Sequence, residues 1–275
     1  METAVERWQA IIDARAKQMD AAYAELGRTS ADLWSRRARA YYRATKLSID
    51  NSPFLLRLRR EITPDVTVLD VGAGTGRYAL ALAPTSKQVI VVEPNAAMLD
   101  FLCIDAQNQG ITNIMSYQTR WQDAPDDLEA DIVICSHVLY PIRDIVPFLR
   151  KLQMSARHAC YLYLYATHLE VLTSHLWKHF HGAERCYPPG YIHALDVLFE
   201  MGIYANVEIV KFPQSMRYPS LDVAMEELTE QLLLADDERE RHKLHNLLKD
   251  WLIEDHDAVM TPTKEIACAI VSWVV

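Results

Sequence analysis

Between residues 66 and 166, five apolar runs alternate with helical stretches, and this rhythm restricts the fold more than any other feature of the chain. The runs are VTVLDVG (66–72), KQVIVVEP (87–94), NIMSYQT (113–119), ADIVICSHV (130–138) and HACYLYLYA (158–166). They are continuously apolar where a half-exposed strand would alternate, so both faces of each strand are covered. The segments between them, 76–83, 95–109 and 142–155 among them, read as helices. Strands joined by helices pair in parallel. The expectation is a doubly wound, mostly parallel α/β sheet that takes its ligand at the carboxyl ends of the strands.

The ends of the chain extend this plan. Residues 3–47 read as two or three amphipathic helical segments, broken near Gly27 and Ser30, with Ser30 and Asp32 as an N-cap signal. A short helix over 52–61 precedes Pro64. After residue 166 comes a segment rich in His and aromatics, then a helix over 191–200 and a strand over 204–212. A charged helical pair follows over 220–256, then an apolar final strand, EIACAIVSWVV (265–275). Two late strands joined by a long excursion fit an antiparallel addition, bringing the sheet to seven strands. The expected division is a helical cap over 1–61 and a sheet domain over 62–275, with a helical insertion before the last strand. Leucines at helical spacing in ELTEQLLLADDERERHKLHNLLKDWL make that insertion an amphipathic hairpin packed within the monomer, or a homodimer surface.

Charge and cysteine content exclude several classes. The net charge is -9, with no overall basic footprint for nucleic acid. A local strip of Arg36, Arg37, Arg39 and Arg43, then Arg57, Arg59 and Arg60, reads as a solvated helix face. Five scattered cysteines without a CxxC pair read as reduced thiols, and no apolar leader or membrane-spanning run is seen, so the expected location is cytoplasmic.

The first strand runs into VLDVGAGTGRYALALA (68–83), with glycines at positions 72, 74 and 76. Bare backbone there permits positive φ and close approach of a ligand. The spacing is neither that of the dinucleotide fingerprint nor that of a P-loop. Glu93 closes the next strand, seventeen residues after Gly76, where a carboxylate can accept both hydroxyls of a ribose.

Over about residues 30–165 the chain resembles the class I S-adenosylmethionine-dependent methyltransferases, and the resemblance implies their Rossmann-like fold. VLDVGAGTGR resembles the first motif of that family, which implies cofactor contacts at Asp70, Gly72, Ala73, Gly74 and Gly76, with Asp70 helping to hold the methionine ammonium. VVEPNAAML resembles the second, placing Glu93 on the ribose and Pro94 and Met98 beside the adenine. TRWQDAPDDLEADIVICSHVLY resembles the stretch of the third and fourth motifs. It implies Arg120 and Trp121 bordering the adenine, and Ser136 and His137 near the methionine end. DLWSRRARAYY (32–42) resembles an opening helix that closes over the cofactor, carried by Trp34, Ala38 and Tyr41; Tyr42 sits where the family often has Asp.

The implied activity is transfer of a methyl group from S-adenosylmethionine, in line, to a small-molecule O, N or S acceptor, with S-adenosylhomocysteine as product. A tRNA or protein acceptor, or a non-catalytic cofactor-binding regulator, are the alternatives. Orientation and exclusion of water supply most of the acceleration, and a base is needed only for an acceptor that holds a proton. His137 is either that base or a structural histidine at a strand end; Tyr140 shares its mouth. Residues 167–203 are where the family often builds its acceptor pocket. Tyr42, His175 and His179 are expected in its walls, and no metal is expected.

Overall fold

The computed structural model describes residues 2–29, 33–46, 49 and 52–275; the N-cap expected at Ser30 and Asp32, and the Trp34 side chain, lie outside what is described. The sheet begins at β1 (Thr67–Val71), β2 (Gln88–Val92) and β3 (Ile114–Tyr117), which step outward in one direction. The chain then crosses back to β4 (Ala130–Ser136) and β5 (Ala156–Tyr165) on the other side of β1. With β6 (Asn206–Gln214) and the last strand, Lys264–Val274, the order is β3-β2-β1-β4-β5-last-β6. Leu69 pairs with Ile90 on one side and Val133 on the other, both in parallel. The last strand is antiparallel to both neighbours, with Ile270 opposite Tyr163 and Glu208. The seven-stranded, mostly parallel α/β fold expected from the sequence is the fold observed. Its strand order reverses between β1 and β4, which opens a crevice at their carboxyl ends.

Successive strand residues point to opposite faces, so the sheet carries two cores. Leu69 and Val71 pack with Trp8, Phe148, Leu149, Val197 and Leu198; these come from α1 (Ala4–Glu25), α6 (Ile145–Met154) and α8 (Tyr191–Glu200). Val68 and Ile134 pack with Phe54, Leu58, Leu82 and Leu102 on the other face. Those belong to α3 (Pro53–Leu58), α4 (Arg77–Leu82) and α5 (Ala96–Asn108).

The expected cap over 1–61 therefore divides. α1 is a layer helix: Thr3 and Glu6 form a capping box at its start, and the buried Trp8 donates its indole N–H to the Ile142 carbonyl at 2.7 Å. α3 is equally part of the core. Only α2 (Leu33–Lys46) lies over the strand ends. The basic strip along it is not merely solvated, because Arg36 and Arg43 pair with Glu230 and Glu227 of α9 (Leu221–Gln231).

α9 and α10 (Glu238–Trp251) form the expected hairpin, and its leucines are covered from within the chain. Leu228, Leu232, Leu233, Leu244 and Leu248 are buried against Tyr23 of α1 and Leu176 and Trp177 of α7 (Ser174–His181). A second sheet was not expected. β7 (Arg217–Tyr218), β8 (Ile253–Asp255) and β9 (Ala258–Met260) pair antiparallel in the order β7-β9-β8. Strands of two or three residues are too short to carry a period, and β8 occupies residues assigned from the sequence to the helical pair. The last strand is β10.

Candidate active site

β1 turns into α4 through three glycines, all with positive φ: 74° at Gly72, 58° at Gly74 and 81° at Gly76. They lack side chains for different reasons. A Cβ on Gly72 would lie 2.3 Å from Val138 Cγ2, and one on Gly76 2.6 Å from Leu102 Cγ. Protein packing alone excludes a side chain at these two. A Cβ on Gly74 would meet only Tyr41 Cε1 at 3.6 Å and Met98 Sδ at 3.8 Å, both ordinary contacts. Gly74 is the glycine that opens toward the cleft, so the expectation that a ligand needs all three bare is corrected. Ala73, between them, is buried, and its N–H points at the Val92 carbonyl 3.4 Å away.

Glu93 is drawn against this turn. Its Oε2 accepts the Gly74 N–H and its Oε1 the Asn95 N–H, each at 2.9 Å. Burial raises its pKa and the two amides oppose the rise. Asn95 caps α5 by accepting from the Met98 N–H at 3.1 Å, and Pro94 is exposed beside it. Asp70 lies one residue before the end of β1, 2% exposed. Its Oδ2 is buried and has no hydrogen-bond partner. Burial first, and then the Glu93 charge, push its pKa up to about 7, against the Ala79 amide. A buried carboxylate oxygen without a donor is costly, so a cation or donor that reaches it is strongly favoured.

Tyr41, on α2, covers this turn. Burial pushes its phenol up to about 12, and the Arg77, Tyr78, Asp70 and Glu93 charges all act on it. Arg77 follows the third glycine directly. Its buried Nε has no partner, and its guanidinium lies 5.7 Å from the Tyr78 ring centre. The charge acts on His137 and Tyr165 as well.

At the end of β4, Ser136 is half-buried, and His137 takes a left-handed backbone at φ 57°. Its Nδ1 is 2.8 Å from the Tyr140 hydroxyl, which accepts the Tyr165 N–H at 2.9 Å. With the hydroxyl donating in this contact, Nδ1 accepts and the ring proton sits on Nε2. Burial first, then the Arg77 and His168 charges, lower the His137 pKa to about 3, so the ring is neutral. Its ring stacks on Tyr165 at 4.2 Å between centres, and Tyr165 and Tyr140 meet His168 edge-on at 5.2 and 5.3 Å. This row of rings runs from His137 toward Tyr187, 6.3 Å beyond His168.

Five expected site residues lie elsewhere. Tyr42 stacks on Phe101 at 4.4 Å and reaches Asp105 with its hydroxyl, on the side of α5, because neighbouring residues of α2 point in different directions. His175 and His179 are exposed on α7, the first against Trp251 and the second against Phe180. The buried face of α7 is Leu176 and Trp177. Arg120 is exposed and paired with Asp123. Trp121 is a core residue, its indole N–H directed at the Phe148 carbonyl at 3.3 Å. Sequence reasoning passed over Arg77 and Tyr165. Arg77 was visible in the motif itself, and Tyr161, Tyr163 and Tyr165 alternate with period two, the signature of one strand face.

Residues 62–185 match a family described as a methyltransferase domain. This match supports the chain's resemblance to the class I S-adenosylmethionine-dependent methyltransferases.

Its relatives include an uncharacterised protein of Haemophilus influenzae, 28% identical over 151 residues, or 54% of this chain and 55% of that one. YcgJ of Bacillus subtilis, an uncharacterised methyltransferase, is 28% identical over 112 residues, 40% of this chain and 44% of its own. The chain thus spans about half the length of the curated relatives it matches. Its fold is similar to the crystal structure of YcgJ, with a TM-score of 0.51 at 17% identity over 79% of this chain and 96% of that one. It is also similar to a candidate methyltransferase from Bacillus halodurans, with a TM-score of 0.54 at 15% identity over 80% and 97%.

Proposed function

We propose that the protein transfers a methyl group from S-adenosylmethionine to a small-molecule acceptor. The observation that carries this reading is the unpartnered, buried Asp70 oxygen beside Glu93, at the one glycine of the turn that opens to the cleft. These residues fit the cofactor: Asp70 would take the methionine ammonium, and Glu93 the ribose hydroxyls with the lone pairs its two amide bonds leave free. Met98 and Tyr41 would close over the nucleoside. Bound there, S-adenosylmethionine supplies a methyl group already activated by its sulfonium.

The remaining work falls to the row of rings. His137 is neutral and its Nδ1 is engaged by Tyr140, so it does not serve as a base at that nitrogen. Its Nε2–H is a donor, and we assign it the task of orienting the acceptor. Tyr165 and Tyr140 fix the ring plane. Tyr41 and His137, both partly buried, limit the access of water, which favours attack on the methyl carbon over side reactions. Arg36 and Arg43 of α2, two of the arginines that would greet a polymer, are paired with α9, which favours a small acceptor.

Calorimetry with S-adenosylhomocysteine tests the cofactor half: binding in the micromolar range, about -8 kcal/mol, is expected. No heat with either form of the cofactor would sink the reading. Turnover of phenols, amines and thiols, with His137→Ala and His137→Asn compared, tests the acceptor half. The asparagine, which keeps a donor, should retain more rate than the alanine.

A further inference from the structure

Near the far end of the row of rings lies a buried charge imbalance. Glu170 accepts both terminal nitrogens of Arg15, at 2.9 and 2.8 Å, and is bridged by Arg185 Nη2 at 2.9 Å. One carboxylate therefore faces two guanidiniums. The two cations hold Glu170 at about 2, and burial lowers Arg185 to about 10.

Arg15 has further partners, since its Nη1 also donates to the Cys186 carbonyl at 2.5 Å. Arg185 does not. Its side chain is 2% exposed, and Nη2 reaches Glu170 and, at 3.4 Å, the Gln231 carbonyl. Its Nε and Nη1 are buried without any partner. One face of the guanidinium lies 4.6 Å from the centre of the Trp177 ring, and the Arg37 charge of α2 acts on it as well. A buried guanidinium with two idle donors and surplus positive charge around it costs several kcal/mol unless an anion completes it.

The position links this centre to the cleft. His168 accepts the Glu170 N–H on Nδ1 at 3.3 Å, and its ring edges meet Tyr140 and Tyr165. The charges of Arg15 and Arg185 act on His168, and Arg185 also feels Tyr187. The row of rings from His137 to Tyr187 thus passes the Arg15–Glu170–Arg185 cluster, which His168 touches at Glu170.

We propose that Arg185 receives an anionic group, a carboxylate or a phosphate, on the acceptor, so that the substrate class is a small organic anion. The anion sits against an idle donor, either the Nη1 hydrogens or the Nε–H, which open on different sides of the planar guanidinium. The acceptor lies along the rings, with its nucleophilic end toward His137 and the glycine turn. This assignment rests on the methyltransferase reading, and the test separates the two.

The full chain, saturated with S-adenosylhomocysteine, is titrated with inorganic phosphate and with benzoate at constant ionic strength, with chloride as the control. The fluorescence of Trp177, isolated by difference against Trp177→Phe, and the melting temperature are followed. At least one of the two anions should give a saturable response absent with chloride. Arg185→Lys should weaken that response at least tenfold and Arg185→Met should abolish it, while affinity for S-adenosylhomocysteine changes less than twofold. Phosphate alone responding points to a phosphorylated acceptor, and benzoate alone to a carboxylate; either supports the proposal. No anion-specific response, or an equal one in Arg185→Met, overturns it and leaves Arg185 as a structural cross-link. Should Arg185→Met not fold, the arginine Nε–H signals of labelled wild type carry the same decision: one is shifted by the anion, or none is. Failure to bind S-adenosylhomocysteine would strike the methyltransferase reading instead.

Discussion

The two ends of the cleft are built in opposite ways. The cofactor end comes from consecutive turns, residues 70–76 and 93–98, and its key bonds are between near neighbours: Gly74 to Glu93 and Asn95 to Met98. The acceptor end draws Arg15 from α1, Glu170 from the segment after β5 and Arg185 from the loop after α7. Asp70, with an unpartnered oxygen, stands beside Glu93 at the first end; Arg185, with two idle donors, stands beside Arg15 at the second. A cation brought by the cofactor and an anion brought by the acceptor would satisfy both. The comparison teaches that local signals mark the end proposed for the cofactor, while the end proposed for the acceptor is assembled across the chain.

The largest expected effect breaks the acceptor end. Glu170→Ala leaves the buried Arg185 guanidinium facing the partly buried Arg15, a change that costs about 3–5 kcal/mol when one partner of a buried pair is lost. Chemical denaturation should report that loss at neutral pH. The sign of its pH dependence follows from the lowered carboxylate. The stabilisation is present above the unfolded value of 4.5 and fades as pH falls toward about 2. The gap between wild type and variant should therefore narrow in acid. A loss under 1 kcal/mol at pH 7 would show that the triad is not the clasp described.

The glycine turn offers a sharper contrast within one motif. Gly72→Ala and Gly76→Ala force a Cβ into Val138 or Leu102 on left-handed backbone, and about 2–4 kcal/mol of stability should go. Gly74→Ala carries the dihedral strain alone, about 1–2 kcal/mol, and its main damage should fall on binding of S-adenosylhomocysteine. Equal destabilisation at all three, with equal loss of affinity, would contradict the division between packing and ligand glycines.

How far the sequence reveals each end follows from the same distinction. The seven-stranded plan and Glu93 were legible because a strand period, a glycine turn and a strand-ending acid are all written within a few residues. The late antiparallel strand was legible from its apolar length. Arg120 and Trp121 were misplaced because a motif match fixes the loop and leaves open which way a side chain turns: Trp121 turns into the core and Arg120 to Asp123. His175 and His179 share a helix face as their spacing implies, but that face is outward, since Leu176 and Trp177 claim the core. Nothing local marks Arg15, Glu170 and Arg185 as partners, with 155 residues between the first two.

Glu93 joins structure to binding. Its removal strands two buried N–H groups, on Gly74 and Asn95, as well as the ribose. Glu93→Ala should therefore lower stability and cofactor affinity together, affinity by about 1.5–3 kcal/mol, or one to two orders of magnitude. Glu93→Gln keeps an acceptor for one of the amides. It should recover part of the stability and little of the affinity. Full recovery of both would make the charge irrelevant.

The smallest effect concerns Asp70 and sharpens the charge contrast between the ends. Its folded pKa of about 7 is raised above the unfolded value of 3.8, chiefly by burial. The protein without ligand then loses stability as pH rises from about 4 to about 7, because the folded state holds the proton longer. The same ionisation readies the carboxylate for the methionine ammonium. Affinity for S-adenosylhomocysteine should rise by up to about tenfold per unit between pH 5.5 and 7, then level off. His137, lowered to about 3, adds no step in that window. In Asp70→Asn the rise should vanish while the acceptor-end response to phosphate or benzoate persists, since Arg185 stands on the other side of the rings. A pH profile unchanged by Asp70→Asn would assign the titration to another group and remove the ammonium role from Asp70.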